Sequence, residues 1–298
     1  MTPAHQLTLN LSGRLVSLEK PLVMGIVNVT PDSFFAGSRI DGAKALRERL
    51  DTLVREGAAL ADLGAYSSRS GAEEVSPEEE RRRLRPALQI LRDEYPDLPV
   101  SVDTFRSDVA RMAVEEYGAS MINDISGGGL DPAMYRTMAE LQVPYILMHM
   151  KGDPKTMQQQ ASYSDVTLEV IDYFAQRVGQ LLELGVHDII LDPGFGFSKT
   201  TAQNYELLAQ LGSLVEAFTQ PLLVGVSRKS MIYRPLGITP EEALSGTTFV
   251  HALALERGAK ILRVHDVRPA VEAVQLYEEL RPYLHSDGAL HYQHLRPL

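Results

Sequence analysis

Five basic side chains stand where short apolar runs of this sequence end. Arg69 follows ALAD, Arg228 and Lys229 follow PLLVGVS, and Arg263 and His265 close AKILRVH. Ser67, Ser68, Ser227 and Ser230 lie among them. Guanidinium, ammonium and imidazole groups beside hydroxyls bind phosphate or pyrophosphate through charge-assisted hydrogen bonds. Any one of these cations could instead pair with a carboxylate, but the set favours a phosphate site. Asp62, Asp103 and Asp192 end other runs, with Asn28 and Asn123 between them. Without cysteine these are oxygen donors, which suit Mg²⁺ if a metal is held. They would equally accept hydrogen bonds from a ligand rich in N–H groups. A strand-end aspartate can also simply cap the next helix, a reading that suits Asp62, with glycine close behind it, better than Asp192. Asp124 should face away from its neighbour Asn123 on an extended strand, in a helix-packing role.

The elements that must position these groups are eight strand–helix units. The runs are LVMGIVN to Asn28, ALAD to Asp62, LPVSVD to Asp103, ASMIN to Asn123, VPYILMH to His149, HDIILD to Asp192, PLLVGVS to Ser227 and AKILRVH to His265. They are rich in Val, Ile and Leu with little alternation, as parallel strands buried on both faces are. Helices are expected near 42–56, 76–95, 107–117, 131–141, 164–184, 203–217, 240–257 and 268–283. Ser76-Pro77-Glu78-Glu79 and Thr239-Pro240-Glu241-Glu242 both read as capping boxes with proline at the first helical position. Eight such units close into an α/β (β/α)₈ TIM barrel whose strand ends meet at one catalytic rim. An open doubly wound sheet would carry a Gly-rich turn after its first strand, and none is present. Residues 6–18 alternate around Ser12-Gly13 and predict a hairpin that plugs the barrel bottom. The expected organisation is a hairpin extension over 1–20, a barrel over 21–283 and a tail over 284–298. The connections after strands 1, 2, 5 and 6 are long and read as binding loops.

A chain of 298 residues with 44% hydrophobic and 23% charged content suits one such domain. The 29 Lys and Arg against 39 Asp and Glu leave a net charge of −10. No global basic surface therefore suggests nucleic acid. No run is long enough to span a membrane, and MTPAHQLTLN lacks the pattern of a signal peptide. The absence of cysteine fits a reducing cytoplasm. GFGFSKT is not a phosphate-binding P-loop, because Ser198 stands where that loop needs glycine. Its two aromatic rings suggest a wall for a flat ligand, and Ile146 and Met148 point weakly the same way. His149 has no partner at metal-ligand spacing and reads as structural. His187 and His251 read as surface or helix-packing residues.

Seven segments, in order, resemble dihydropteroate synthase: MGIVNVTPDSF (24–34), SVDTFRSDVA (101–110), MINDISGG (121–128), LMHMKG (147–152), LDPGFGFSKT (191–200), GVSRKSMI (225–232) and RVHDV (263–267). The match runs from about residue 21 to 283. The resemblance implies a folate-pathway transferase that condenses 6-hydroxymethyl-7,8-dihydropterin pyrophosphate with p-aminobenzoate, releasing pyrophosphate with Mg²⁺. It also implies a cytoplasmic homodimer inhibited by sulfonamides. It assigns Asp192, Asp103 and Asn123 to the pterin edge, and Ile125, Ile146, Met148, Gly225 and Phe197 to the pocket wall. Lys229 would meet a pterin ring acceptor and face the incoming amine. Arg263 would stack on the ring and hold phosphate. Asn28, Ser68, Arg69, Arg263 and His265 would hold pyrophosphate, with Asn28 the protein ligand of Mg²⁺. The aminobenzoate slot would be Phe34, Ser68, Ser70, Phe197, Lys229 and Ser230. Lys229, Arg263, His265 and Asn28 are the implied catalytic set.

The family's GGESTRPGA is GAYSSRSGA here, so Tyr66 replaces Glu and Ser70 replaces Pro. Ser70 removes rigid apolar surface and is expected to alter sulfonamide affinity. Ala36 stands where the first loop usually has a second acidic residue, with Asp32 retained to support that loop or the metal's waters. Ser198 replaces a usual Gly. A methyltetrahydrofolate methyltransferase barrel would need neither NVTPDSF nor the SRK and RVH groups. A binding-only homologue would need no intact Lys229, Arg263 and His265. Nothing marks the Schiff-base lysine of an aldolase.

Overall fold

Strand and helix alternate along the chain of the computed structural model, which describes residues 7–29, 39–66 and 75–284. Strands β3 (Leu22–Asn28), β4 (Leu60–Gly64), β5 (Val100–Asp103), β6 (Met121–Asp124), β7 (Tyr145–Met148), β8 (Ile189–Asp192), β9 (Leu222–Val224) and β10 (Ala259–Val264) pair in parallel as a closed barrel. Helices α1 (Arg39–Glu56), α2 (Pro77–Glu94), α3 (Ser107–Tyr117), α4 (Met134–Leu141), α5 (Val166–Glu183), α6 (Thr201–Ala209), α7 (Leu211–Ala217), α8 (Ser230–Leu236), α9 (Leu244–Glu256) and α10 (Val267–Leu284) follow the strands. This is the expected (β/α)₈ barrel.

Successive strand residues point to opposite faces, and both faces are buried. Val23, Ala61, Val102, Ile122, Leu147, Leu191, Val224 and Leu262 belong to the core between sheet and helices. Met24, Leu60, Met121, Ile146, Ile190, Leu223 and Ile261 form a separate apolar layer inside the barrel. Two residues further along β4, β6, β8 and β10, the same inward direction is taken by Asp62, Asn123, Asp192 and Arg263. An apolar layer drawn from seven of the eight strands thus underlies a polar one at the carboxyl ends. Gly25 permits close packing of α1, since a Cβ there would lie 2.0 Å from Leu53 Cδ2.

Hairpin strands β1 (Thr8–Leu11) and β2 (Arg14–Ser17) are antiparallel and joined by Ser12 and Gly13, both at positive φ. That turn matches strand twist. Leu9, Leu11 and Leu18 pack into the inner apolar layer, so the hairpin plugs the barrel bottom as expected. Asn10 N–H donates to Asp188 Oδ2 at 3.0 Å.

Three helical expectations change. The stretch 203–217 breaks into α6 and α7 at Gln210, whose backbone leaves the helical region. Residues 240–243 form turns, and α9 starts at Leu244. Arg228 Nη1 donates to Pro240 O (2.8 Å) and Glu241 O (2.6 Å), which takes those carbonyls from a helical ladder. Glu242 still accepts from Thr239 N–H, half of the expected box. Helix α8 was hidden by Pro235, which cannot donate to the Met231 carbonyl. The Tyr205 hydroxyl donates there instead, at 2.7 Å. The Ser76 cap is present: its hydroxyl accepts from Glu79 N–H at 3.2 Å.

Candidate active site

The polar layer is organised by one guanidinium. Arg263, on the inward face of β10, donates from Nε to Asp62 Oδ2 (2.6 Å) and from Nη2 to Asp103 Oδ2 (2.8 Å). Nη1 carries no hydrogen bond among the described residues. Asn123 Nδ2 donates to the same Asp62 oxygen at 3.1 Å. Asp62 Oδ1 and Asn123 Oδ1 are buried and receive nothing. Such acceptors are costly to leave unpaired, so they mark where a donor-rich ligand would be welcome. Burial and the Asp62 charge push the Asp103 carboxyl up to about 7 against the pull of Arg263. Asp62 is therefore a member of this cluster and not a helix cap, because β4 continues to Gly64 and turns Asp62 into the barrel. Its partners lie 61 and 201 residues away, beyond any local signal.

The second half of the site is the turn after β8. Asp192 accepts from Gly194 N–H at 2.8 Å, while its other oxygen is bound by no described residue. Burial raises its carboxyl above the usual range, opposed by Lys229, Arg263 and Lys199. Gly194 has φ +70°, and a Cβ there would lie 2.0 Å from His149 O, so the turn passes tightly over β7. Lys229, at the start of α8, donates to Phe195 O, and its ammonium sits 4.6 Å from the Phe197 ring centroid. Burial lowers the Lys229 ammonium to about 8, with Asp192 holding it up. Phe197, Ile125 and Met148 pack together at the rim with Phe105, Met150 and Met157. Ile146 lies in the apolar layer below, about 6–7 Å deeper by strand rise.

Several anticipated roles are sorted by their partners. Arg228 is a strut: Nε and Nη2 donate to Asp266 at 2.7 and 2.9 Å, and its φ is +55°. His149 is structural, with Nδ1 2.9 Å from Lys199 Nζ. Asp124 faces away from Asn123 as expected, but it serves a loop and β7: it accepts from Ser126 N–H (2.7 Å), Gly128 N–H (2.8 Å) and the Tyr145 hydroxyl (2.6 Å). Gly225 lies beside Arg263, since a Cβ there would be 3.9 Å from Arg263 Cβ. Ser230 opens α8 next to Lys229. Asn28 ends β3 beside Gly64, and its side chain has no hydrogen-bond partner among the described residues. Tyr66 packs edge-on to Phe105 with centroids 5.2 Å apart, and Arg106 lies over both rings. Asp32, Phe34, Ala36, Ser67, Ser68, Arg69 and Ser70 lie outside the described residues.

His265 lies just past β10, its N–H donating to Ser227 Oγ at 3.2 Å. Burial and then Arg263 lower its imidazole to about 4, so the ring is neutral at neutral pH. With the folded value depressed, its contribution to stability is present above the unfolded value of 6.5 and lost as pH falls through about 4. A bound polyphosphate would raise that value and so take up a proton. Inorganic pyrophosphate is therefore expected to bind more tightly as pH falls from 8 to 5.5, by up to about tenfold per unit from this group. Titration calorimetry of the protein and of His265→Gln checks it; identical pH slopes would remove the assignment.

Among the described residues no group of three or more His, Cys, Asp or Glu could hold a metal. The Asn28 amide oxygen remains as a single donor, which fits a cation bound chiefly by substrate oxygens and water.

Comparison with known proteins places this chain among relatives. A family model described as pterin binding enzyme matches residues 24–265. The dihydropteroate synthase of Escherichia coli (strain K12) is 41% identical over 268 residues, 89% of this chain and 94% of that protein. A Xanthomonas albilineans dihydropteroate synthase solved with 4-aminobenzoic acid superposes with a TM-score of 0.85 at 41% identity, covering 93% of this chain and 98% of that one. A Yersinia pestis dihydropteroate synthase in a sulfonamide drug complex gives a TM-score of 0.86 at 37% identity, covering 93% and 100%.

Proposed function

This chain belongs to the dihydropteroate synthases of the pterin-binding enzyme family, and we propose that it joins 6-hydroxymethyl-7,8-dihydropterin pyrophosphate to p-aminobenzoate through the rim residues above. The observation that carries the residue assignment is the pair of buried, unpartnered oxygens on Asp62 and Asn123, beside Asp103 and Asp192. A dihydropterin presents amino and ring N–H donors along one edge, and these acceptors meet that need. Ile125, Met148 and Phe197 supply apolar surface for the ring, with Ile146 beneath and Gly225 leaving room beside Arg263.

In the proposed mechanism the bond from the exocyclic methylene carbon to the pyrophosphate oxygen breaks first, because the electron-rich dihydropterin supports a carbocation. Arg263 and His265 face the departing pyrophosphate, and the charge growing there is what they stabilise. Ser68 and Arg69 are assigned the same task. The amine nitrogen of p-aminobenzoate then attacks the methylene carbon, the C–N bond forms, and the nitrogen gives its proton to solvent water. Lys229 holds the pterin from the side on which the amine arrives. The amine's slot is assigned to Phe197, Lys229 and Ser230 together with Phe34, Ser68 and Ser70. Mg²⁺ at Asn28 Oδ1 would neutralise pyrophosphate charge. The test is one assay with both substrates and Mg²⁺, with Mg²⁺ omitted as control. Dihydropteroate forming at the same rate without Mg²⁺ would remove the metal. Tight pterin binding without product would leave only a binding protein. The sulfonamide drug complex of the Yersinia pestis enzyme supports sulfonamides as inhibitors of this chain.

We also propose a homodimer. Phe249 and Leu253 on α9, and Leu276 and Leu280 on α10, are exposed at helical spacing on two helices that pack together. Exposed apolar stripes of this kind mark association surfaces. Sedimentation velocity should give a dimer that Phe249→Glu shifts to monomer by at least about tenfold in dissociation constant; a monomeric parent protein ends the proposal. No helix among the described residues is long and apolar enough to cross a membrane. With the cysteine-free composition this supports a cytoplasmic enzyme, which cell fractionation tests.

A further inference from the structure

Lys199 is a buried cation to which the mechanism gives no task. It is only 3% exposed. Its ammonium meets three acceptors: His149 Nδ1 at 2.9 Å, Gly194 O at 3.2 Å and Phe197 O at 3.2 Å. Three acceptors are the full complement of an ammonium. With Lys199 charged, its contact with Nδ1 puts the imidazole proton on Nε2, and burial and the charges of Lys199 and Lys151 hold His149 far below its ordinary value. The same ring stands edge-on to Tyr173, with centroids 4.8 Å apart.

Gly194 and Phe197 are the two ends of one turn, closed by Phe197 N–H donating to Gly194 O at 3.1 Å. Lys199 therefore grips both ends of that turn and ties it to His149, just past β7. Lys229 touches the same turn, through Phe195 O and the Phe197 ring. Neighbouring bonds hold the same wall. Ser198 Oγ accepts from Lys151 N–H at 2.9 Å, and Asn204 Oδ1 accepts from Gly196 N–H at 2.7 Å. Ser198 adopts φ +45°, a conformation that costs a non-glycine residue energy. Its hydroxyl bond to the neighbouring loop offsets that cost.

We infer that Lys199 is a positioning residue: by pinning the Gly194–Phe197 turn to His149 it sets where Lys229 and Phe197 stand at the junction of the two substrates. A displacement of about 1 Å at a reacting group can cost about 100-fold in rate. The inference rests on the role of Lys229 proposed above. Burial already draws the Lys199 ammonium down to about 7 against the pull of Asp192. A lysine tolerated at that cost, and bonded only to main chain and one imidazole, is suited to holding a shape.

The test compares Lys199→Met with Lys229→Ala in the complete enzyme. Lys199→Met is expected to lower kcat by about 10- to 100-fold and raise KM for p-aminobenzoate. Its affinity for an unreactive pterin, read by calorimetry, should fall by less than kcat does, since Asp103, Asn123 and Asp192 still meet the pterin edge. Wild-type kcat and KM in Lys199→Met, with Lys229→Ala inactive, would overturn the positioning role alone. Full turnover in Lys229→Ala would overturn the reading beneath it. A matching loss of pterin affinity would mean that Lys199 merely keeps the pocket folded, and also overturns it. If Lys199→Met does not fold, the His149 variants carry the test. His149→Leu should lower kcat at least threefold, while His149→Asn, whose amide oxygen can replace Nδ1, should not; equal effects overturn the inference.

Discussion

Arg263→Met is expected to abolish product formation and to destabilise the protein by about 3–5 kcal/mol at pH 8, because breaking a buried ion pair leaves uncompensated charge behind. The charges left are Asp62, fully buried, and Asp103, which share Arg263 as their ion-pair partner. The pH dependence follows from Asp103. Its folded value is raised to about 7 above an ordinary 3.8, so its contribution to stability is full below about 4 and is lost as pH rises through 7. Removing Arg263 raises the folded value further. The variant's deficit should therefore be smaller at pH 5, where Asp103 takes a proton, than at pH 8, with the loss of Asp62's partner added at both. Urea denaturation at both pH values checks this, and an equal deficit at the two would show that Asp103 does not carry the charge. Activity should fall independently of folding, since the same guanidinium faces the pyrophosphate in the proposed mechanism.

Lys229→Ala should slow pyrophosphate release by about 10²–10³-fold, the range for loss of a preorganised donor at a reacting centre, while leaving stability unchanged or slightly raised. Burial holds the Lys229 ammonium down to about 8, so the folded state already bears a cost for that charge. In the parent enzyme turnover should decline above pH 8 as the ammonium gives up its proton, and the residual activity of the variant should lack that limb. Release within threefold of the parent enzyme would remove Lys229 from the mechanism. Lys229→Arg should not restore activity, because a planar fork cannot reproduce the compact contact with Phe195 O and the Phe197 ring.

Much of the site was legible because strand periodicity is local. A run ending in Asp or Asn on the inward register delivers that side chain to the rim, and Asn28, Asp103 and Asp192 end β3, β5 and β8 as anticipated. The same reading ended β4 at Asp62 and favoured a helix cap there, whereas β4 runs two residues past it. It missed α8, since Pro235 conceals a helix whose missing hydrogen bond is replaced by Tyr205 from another element. It gave Lys199 no role beyond a failed P-loop match, and nothing near Lys199 in the chain points to His149, 50 residues away.

The order of apolar runs and helical stretches, the alternation over residues 6–18 and the seven family segments determined the barrel, the plugging hairpin and the chemistry class, because each is written in neighbouring residues. What tertiary structure alone decided is which cations are free to meet a ligand. Arg228 and Lys229 are adjacent in sequence, yet one is locked on Asp266 and the other stands over the Phe197 ring beside Asp192. Electrostatic role depends on the partners within a few ångströms, and in a closed barrel those partners come from strands up to 201 residues apart.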